Sequence, residues 1–149
     1  MIPNTLMRAW WRLSRGVTLG VRAIATDEAG RVMLVRHSYT PGWHLPGGGV
    51  EHAQTAEDAL SAELREEAGI EMTSPADLIG VYSNHAVFRN DHVLLYRVRQ
   101  WRPCTPSASA FEITGREFFA LANLPSDLSR GASSRLAEVF FDAERSPYW

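Results

Sequence analysis

The chain predicts an α+β fold in which several short β-strands surround one principal helix. Two observations carry this reading. Apolar runs of strand length recur between glycine, proline and asparagine punctuation, and one segment has its own helix start and stop signals between Thr55 and Gly69. A third observation bounds the size: 149 residues at 45% hydrophobic content suffice for one domain, residues 1–149, with a sizeable core.

In chain order, residues 1–15 read as an amphipathic helix. Leu6, Trp10 and Leu13 share a side with Met7 and Trp11 nearby, and Arg8, Arg12 and Arg15 lie opposite. Such a helix covers the domain's own sheet or a dimer interface. A membrane-surface or partner role is the other reading, although three arginines are too few for firm attachment. Residues 17–26 read as a long strand that turns at Glu28-Ala29-Gly30 into a second strand at 31–36, the two together resembling a hairpin. Tyr39 to Gly42 form a loop before a short strand, Trp43 to Leu45. Two further strands are predicted at 77–88 and 91–101 around Arg89-Asn90. A Pro, Ser and Ala rich loop follows at 103–110, a strand returns to the sheet at 116–121, and a closing helix spans 131–144 with Leu136, Val139 and Phe140 on its apolar side.

The principal helix is where chemistry concentrates. Thr55 with Asp58 three residues on is a capping-box-like start and Gly69 is a natural stop, so the helix should run from Ala56 to Ala68. Glu63, Glu66 and Glu67 then share an arc of roughly 100°, beside an apolar arc of Leu60, Leu64 and Ala68. Ala56 and Ala59 lie on the glutamate face and are small enough to leave room there. Like charges at this spacing repel, so the stripe asks for a cation, and hard oxygen ligands suit Mg²⁺ or Mn²⁺, which in turn bind phosphate oxygens. The glycine-rich turn Pro46-Gly47-Gly48-Gly49 just ahead of this helix completes the pattern of a metal and phosphate site.

These residues resemble the signature of the Nudix hydrolases, a glycine, an R-E pair, an aliphatic residue, an E-E pair and a closing glycine-aliphatic pair at fixed spacings. Gly48 matches the leading glycine, Glu63 the R-E glutamate, Leu64 the aliphatic position, Glu66 and Glu67 the E-E pair, and Gly69-Ile70 the close. Gln54 stands where the pattern has its first glutamate and Ala62 where it has arginine, so both members of that charge pair are replaced together. Trp43-His44-Leu45-Pro46-Gly47-Gly48 also resembles the family's approach to the box.

The resemblance implies a mixed sheet sandwiched between helices and hydrolysis of a phosphoanhydride bond in a nucleoside diphosphate linked to another group. Mg²⁺ or Mn²⁺ is then expected on Glu63, Glu66 and Glu67 with the Gly47 carbonyl. Glu63 or Glu66 is the general base, and Glu112 is a further candidate base or ligand. Arg22 and Arg36 are candidates for phosphate contact, Gly48 for the substrate-facing turn, and Trp43 for stacking on a base among His37, Tyr39 and His44. No substrate-specific signature of the family is met: Pro75 and Pro103 are misplaced for the proline that marks some ADP-ribose hydrolases, and Val87 and Phe88 stand where dinucleoside polyphosphate hydrolases tend to have a tyrosine. The rival expectation is a domain that senses a nucleotide without cleaving it, which the changes at Gln54 and Ala62 favour and the three retained glutamates oppose.

Composition excludes other classes. A net charge of −2 does not suggest a nucleic-acid partner, leaving a small-molecule nucleotide and a monomer or homodimer. The single cysteine, Cys104, excludes an internal disulfide and makes a reducing cytoplasm the simplest setting. No apolar run approaches a membrane span, and the N-terminus lacks the apolar core of a signal peptide.

Overall fold

The computed structural model describes residues 4–109 and 111–149. Met1 to Pro3 of the N-terminal segment and Ala110 at the end of the 103–110 loop lie outside the described residues.

The centre of the fold is β1, Thr18–Ala25, which runs parallel to β6, Asp91–Val98, in a register that sets Thr18 opposite Asp91 and Ala25 opposite Val98. On its other edge β1 takes the short antiparallel strand β3, Gly47–Gly49, with Arg22 opposite Gly47 and Val21 opposite Gly48. β5, Asp77–Ser83, completes a four-stranded sheet in the order β3-β1-β6-β5. β2, Val32–His37, pairs with β8, Ile113–Phe119, and β4, Ile70–Met72, with β7, Trp101–Pro103.

Alternation along β1 sends side chains to two cores. Val21, Ala23 and Ala25 pack with Ala59, Leu60, Leu64 and Ala68 of the principal helical segment. Ile24, with Leu34, Leu45 and Leu95, packs against Ala132 and Leu136 of α3, Arg130–Phe140. The sheet is therefore covered by helices on both faces, as the fold class requires. Each fully buried leucine contributes about 2 kcal/mol, which fixes the glutamate helix against β1.

Four expectations need correction. β1 and β2 are not a hairpin. Asp27 N–H bonds the Arg31 carbonyl across the turn, but only the Thr26–Val32 bridge follows. Both edges of β1 are already occupied by β3 and β6, so β2 has none to pair with and joins β8. Trp43 and His44 form isolated bridges, and the strand begins at Gly47, after Pro46. β5 ends at Ser83 rather than Phe88, because the Asn84 carbonyl accepts the Val87 and Phe88 N–H groups and closes a turn.

The fourth concerns the N-terminal segment. It forms α1, Asn4–Ser14, but Leu6, Trp10, Trp11 and Leu13 are exposed and none joins either core. Covering its own sheet is not what this helix does; covering a subunit interface stays a proposal. We expect Trp10→Ser combined with Leu13→Ser to leave the unfolding free energy of dilute protein within about 0.5 kcal/mol of the parent, as for other exposed sites. A larger loss that grows with protein concentration would show that a second copy covers these side chains.

Candidate active site

The principal helix begins as expected. Thr55 Oγ1 accepts the Asp58 N–H at 3.1 Å and donates to Asp58 Oδ2 at 2.7 Å, capping α2, Ala56–Glu63. It does not continue as an α-helix to Ala68. Leu64–Ala68 form a wider π-turn that closes with Gly69 N–H on the Leu64 carbonyl, Gly69 being left-handed at φ 66°. Two carbonyls in this turn are drawn out of the helical ladder: Glu66 O accepts the Ala108 N–H at 2.9 Å, and Glu67 O accepts Arg116 Nε at 2.7 Å. Partners inserted into the ladder in this way are a recognised cause of such irregularities.

The helix and β3 face one cavity of about 530 Å³, lined among others by Glu63, Glu66, Glu67, Glu112, Arg22 and Gly47 to Gly49. Gly47 has to be glycine, since at φ 147° a Cβ there would collide with the Val21 backbone, and a Cβ at Gly48 would displace the Glu63 carboxylate. Glu67 is the most enclosed of the acids, 8% exposed, with Oε2 accepting the Gly47 N–H at 3.2 Å. Arg22 supplies the fixed positive charge; its Nη1 donates to the Gly47 carbonyl at 2.7 Å and the Leu45 carbonyl at 3.2 Å. Glu112 precedes β8, its carbonyl held by the Ser38 N–H at 2.9 Å.

Burial pushes the Glu67 carboxyl up to about 7, reinforced by the Glu63 and Glu66 charges and opposed by the Gly47 N–H and Arg22. Burial and Glu66 likewise raise Glu63. His37 is driven down to about 4 by burial, with Arg22 adding to it. His37 Nδ1 and Glu67 Oε1 are 3.6 Å apart. That is beyond hydrogen-bond reach, and a neutral imidazole makes it no ion pair at pH 7. Burial raises Tyr39 too, with Glu67 contributing, so its phenol keeps its proton.

Glu67 and His37 bias stability in opposite directions. The proton on Glu67, held to about 7 against an ordinary 4.5, stabilises the fold fully below 4.5, and that contribution is lost as pH rises through 7. Neutral His37, at about 4 against an ordinary 6.5, stabilises the fold above 6.5 and loses that contribution as pH falls through 4. The two slopes largely cancel in the parent. In Glu67→Gln only the His37 slope remains, so the metal-free variant should gain stability relative to the parent, by about 3 kcal/mol across this range. Denaturant titrations in chelator at several pH values measure it, and parallel profiles would contradict the opposed pair.

Other expected residues lie elsewhere. Arg36 pairs with Asp127 at 2.6 Å and stacks over Trp43, its Cζ 4.9 Å from the ring centroid. Trp43 packs edge-on against Phe119 at 4.9 Å beside the second core. Neither lines the cavity: alternation along β2 gives that side to His37, and Trp43 packs with the second core. Ala59 is buried in the core instead of bordering the glutamates. The Gly47 carbonyl, implied as a ligand, is engaged by Arg22. Among the described residues no three His, Cys, Asp or Glu side chains converge closely enough to hold an ion as they stand. Gln54 is committed to the turn, its Oε1 accepting the Glu51 N–H at 3.0 Å.

The cavity also gathers residues that sequence reasoning did not assign to it: Thr18, Asn84, Phe88, Asp91 and Trp149. Nothing in their local spacing marks them. They meet through the parallel β1–β6 pairing and the Ser83–Tyr148 bridge.

The sequence model of the NUDIX domain family matches residues 16–140. A MutT-like protein of Streptomyces ambofaciens is 32% identical over 123 residues, covering 83% of this chain and 71% of that protein. An RNA pyrophosphohydrolase of Pseudomonas savastanoi is 41% identical over 56 residues, and the match spans 38% of this chain but only 35% of that protein. Among solved structures, a MutT NUDIX hydrolase from Burkholderia pseudomallei superposes with a TM-score of 0.70 at 25% identity, covering 82% of this chain and 97% of that one. The glycine turn, the glutamate helix and the covered mixed sheet agree with these matches, and the chain belongs to the Nudix hydrolase family.

Proposed function

We propose that this Nudix hydrolase is a metal-dependent pyrophosphohydrolase acting on a nucleoside diphosphate linked to a further group, with water cleaving the phosphoanhydride bond. The observation that carries the reading is the convergence of Glu63, Glu66, Glu67 and Glu112 with Arg22 and the Gly47–Gly49 turn on one cavity.

Mg²⁺ or Mn²⁺ fits this donor set. The ligands offered are hard oxygens, Glu67 and Glu63 are held above their ordinary values by burial and mutual repulsion, and a divalent cation relieves both costs. Glu63, Glu66 and Glu67 would hold it. When bound, such an ion offsets diphosphate charge and lowers the pKa of coordinated water.

The chain's own groups supply the rest. Arg22, anchored on two backbone carbonyls, presents its remaining donors to a phosphate oxygen. Glu63 or Glu66, with Glu112 as the third candidate, accepts the proton of the attacking water. The protonated Tyr39 phenol offers a hydrogen bond at the rim.

A second reading, nucleotide sensing without cleavage, is favoured by the absent charge pair at Gln54 and Ala62, since Gln54 serves only the Glu51 turn. Retention of all three helix acids favours the hydrolase. A panel of nucleoside diphosphate derivatives incubated with Mg²⁺ or Mn²⁺ should yield monophosphate products, and a strong chelator should abolish turnover. Hydrolysis undiminished by chelator would sink the mechanism, and tight binding without product would install the sensor.

The −2 net charge supports a small-molecule nucleotide over nucleic acid. No helix among the described residues is long and apolar enough to cross a membrane. With the free thiol of Cys104, a cytoplasmic setting is the one we propose, for a monomer or homodimer.

A further inference from the structure

The cavity has a second end, away from the four glutamates. Thr18, Gly20 and Arg22 of β1 alternate onto it. Arg22 stands at the acidic end, while Thr18 donates to Asp91 Oδ1 at 2.7 Å at the other. Four residues of strand separate them by roughly 13 Å, a separation comparable with the reach from a diphosphate across a ribose to its base. At this far end the wall is aromatic, made by Phe88 and Trp149.

Trp149 is held there from several directions. The segment after α3 bonds to the end of β5 through Ser83 N–H on the Pro147 carbonyl at 2.9 Å and Trp149 N–H on the Ser83 carbonyl at 3.0 Å. Arg135 Nη1 donates to the Tyr148 carbonyl at 2.7 Å, and the indole meets Tyr82 edge-on with centroids 5.8 Å apart. The indole nitrogen lies so close to Gly131 that a Cβ at that position would strike it. Trp149 packs on the second core, with Arg135 Cζ 5.5 Å from its ring centroid, and it also lines the cavity, so the aromatic residue at this end is held in place before any ligand arrives. Phe88 differs: it is 56% exposed on the turn after β5, an apolar ring on a polar cavity. Asn84 and Asp91, joined by an Nδ2–Oδ2 hydrogen bond of 2.9 Å, give the same end a polar edge.

We propose that Trp149 and Phe88 form the subsite that takes the planar base of the nucleotide, so that substrate choice resides in the segment after α3 and the 84–90 turn. This rests on the reading of the acidic end as a diphosphate site. Stacking of one base on an aromatic side chain corresponds to roughly five- to a hundredfold in affinity.

The test compares ADP with inorganic pyrophosphate as probes, each titrated calorimetrically into the full chain with Mg²⁺. Trp149→Leu should weaken ADP binding by about tenfold or more and leave pyrophosphate binding unchanged, with Trp149→Phe restoring most of the loss. Phe88→Ala, on an exposed turn where folding is not at stake, should weaken ADP in the same selective way. Equal loss for both probes, or no loss for either in both variants, overturns the subsite while leaving the hydrolase reading intact. Selective loss in a protein that cleaves nothing would uphold the subsite and remove the hydrolase reading. A parent that binds pyrophosphate but not ADP overturns the subsite directly, and one that binds neither overturns both.

Discussion

Replacing Glu67 with glutamine should cut turnover by about a hundredfold or more and leave the metal-free protein as stable as its parent, or more stable. The substitution keeps shape and the acceptor for the Gly47 N–H, but it removes one of the charges proposed to hold the metal. An ion that stabilises transition-state charge contributes several kcal/mol, and each 1.4 kcal/mol or so lost is tenfold in rate. Stability moves the other way because Glu67 is 8% exposed and faces Glu63 and Glu66, so at neutral pH its charge costs the fold more than it returns. Steady-state kinetics at saturating Mg²⁺ and a thermal melt in chelator give the two halves. Near-parental turnover would mean that this carboxylate is not part of the machinery.

The second large effect is on folding. Glu138→Leu should destabilise the protein by about 3 to 5 kcal/mol, the usual consequence of leaving a buried charge without its partner. Arg135 is 1% exposed and its Nη2 meets Glu138 Oε1 at 2.6 Å. The same carboxylate accepts Tyr82 Oη at 2.9 Å and the Ser146 N–H at 3.0 Å. Removing it orphans three donors at once, between Tyr82 of β5 and the segment that carries Trp149. Replacing Arg135 by Met together with Glu138 by Leu should recover much of the loss, since a buried pair exchanged for apolar volume is often neutral. Urea unfolding of the two singles and the double measures this. A single-variant loss below about 1 kcal/mol would show that water reaches the pair.

The sequence was most informative where local rules decide. The Thr55 cap, the Gly69 stop, the inward Leu60 and Leu64 and the acidic stripe follow from spacing along one helix, and the structure places them accordingly. It was less informative where tertiary partners decide. The π-turn arises because Ala108 and Arg116, distant in sequence, bond the Glu66 and Glu67 carbonyls. β2 reads as the second arm of a hairpin until β3 and β6 are seen to occupy both edges of β1. Arg36 and Trp43, adjacent to the box in sequence, stand away from the cavity because His37 takes that side of β2 and Trp43 packs with the second core. The Arg135–Glu138 pair left no signature, being an ordinary spacing on a helix whose burial only the fold reveals.

The π-turn has a further consequence, for how this site tolerates change in length. Leu64–Ala68 carry one more residue than an α-turn needs, closed by the Gly69 N–H on the Leu64 carbonyl. Deleting Arg65, which is exposed and makes no side-chain bond among the described residues, would let the segment relax into regular helix at little local cost. It would also draw Glu66 and Glu67 into the tighter ladder, away from the Ala108 N–H and Arg116 Nε that hold their carbonyls, so the acid pair would lose the anchors that set it on the cavity. Point substitution at that position is therefore cheap, whereas a one-residue deletion is ruinous. The spacing inside the box behaves as a ruler, and divergence of this helix is expected through exchanges of residues at constant count.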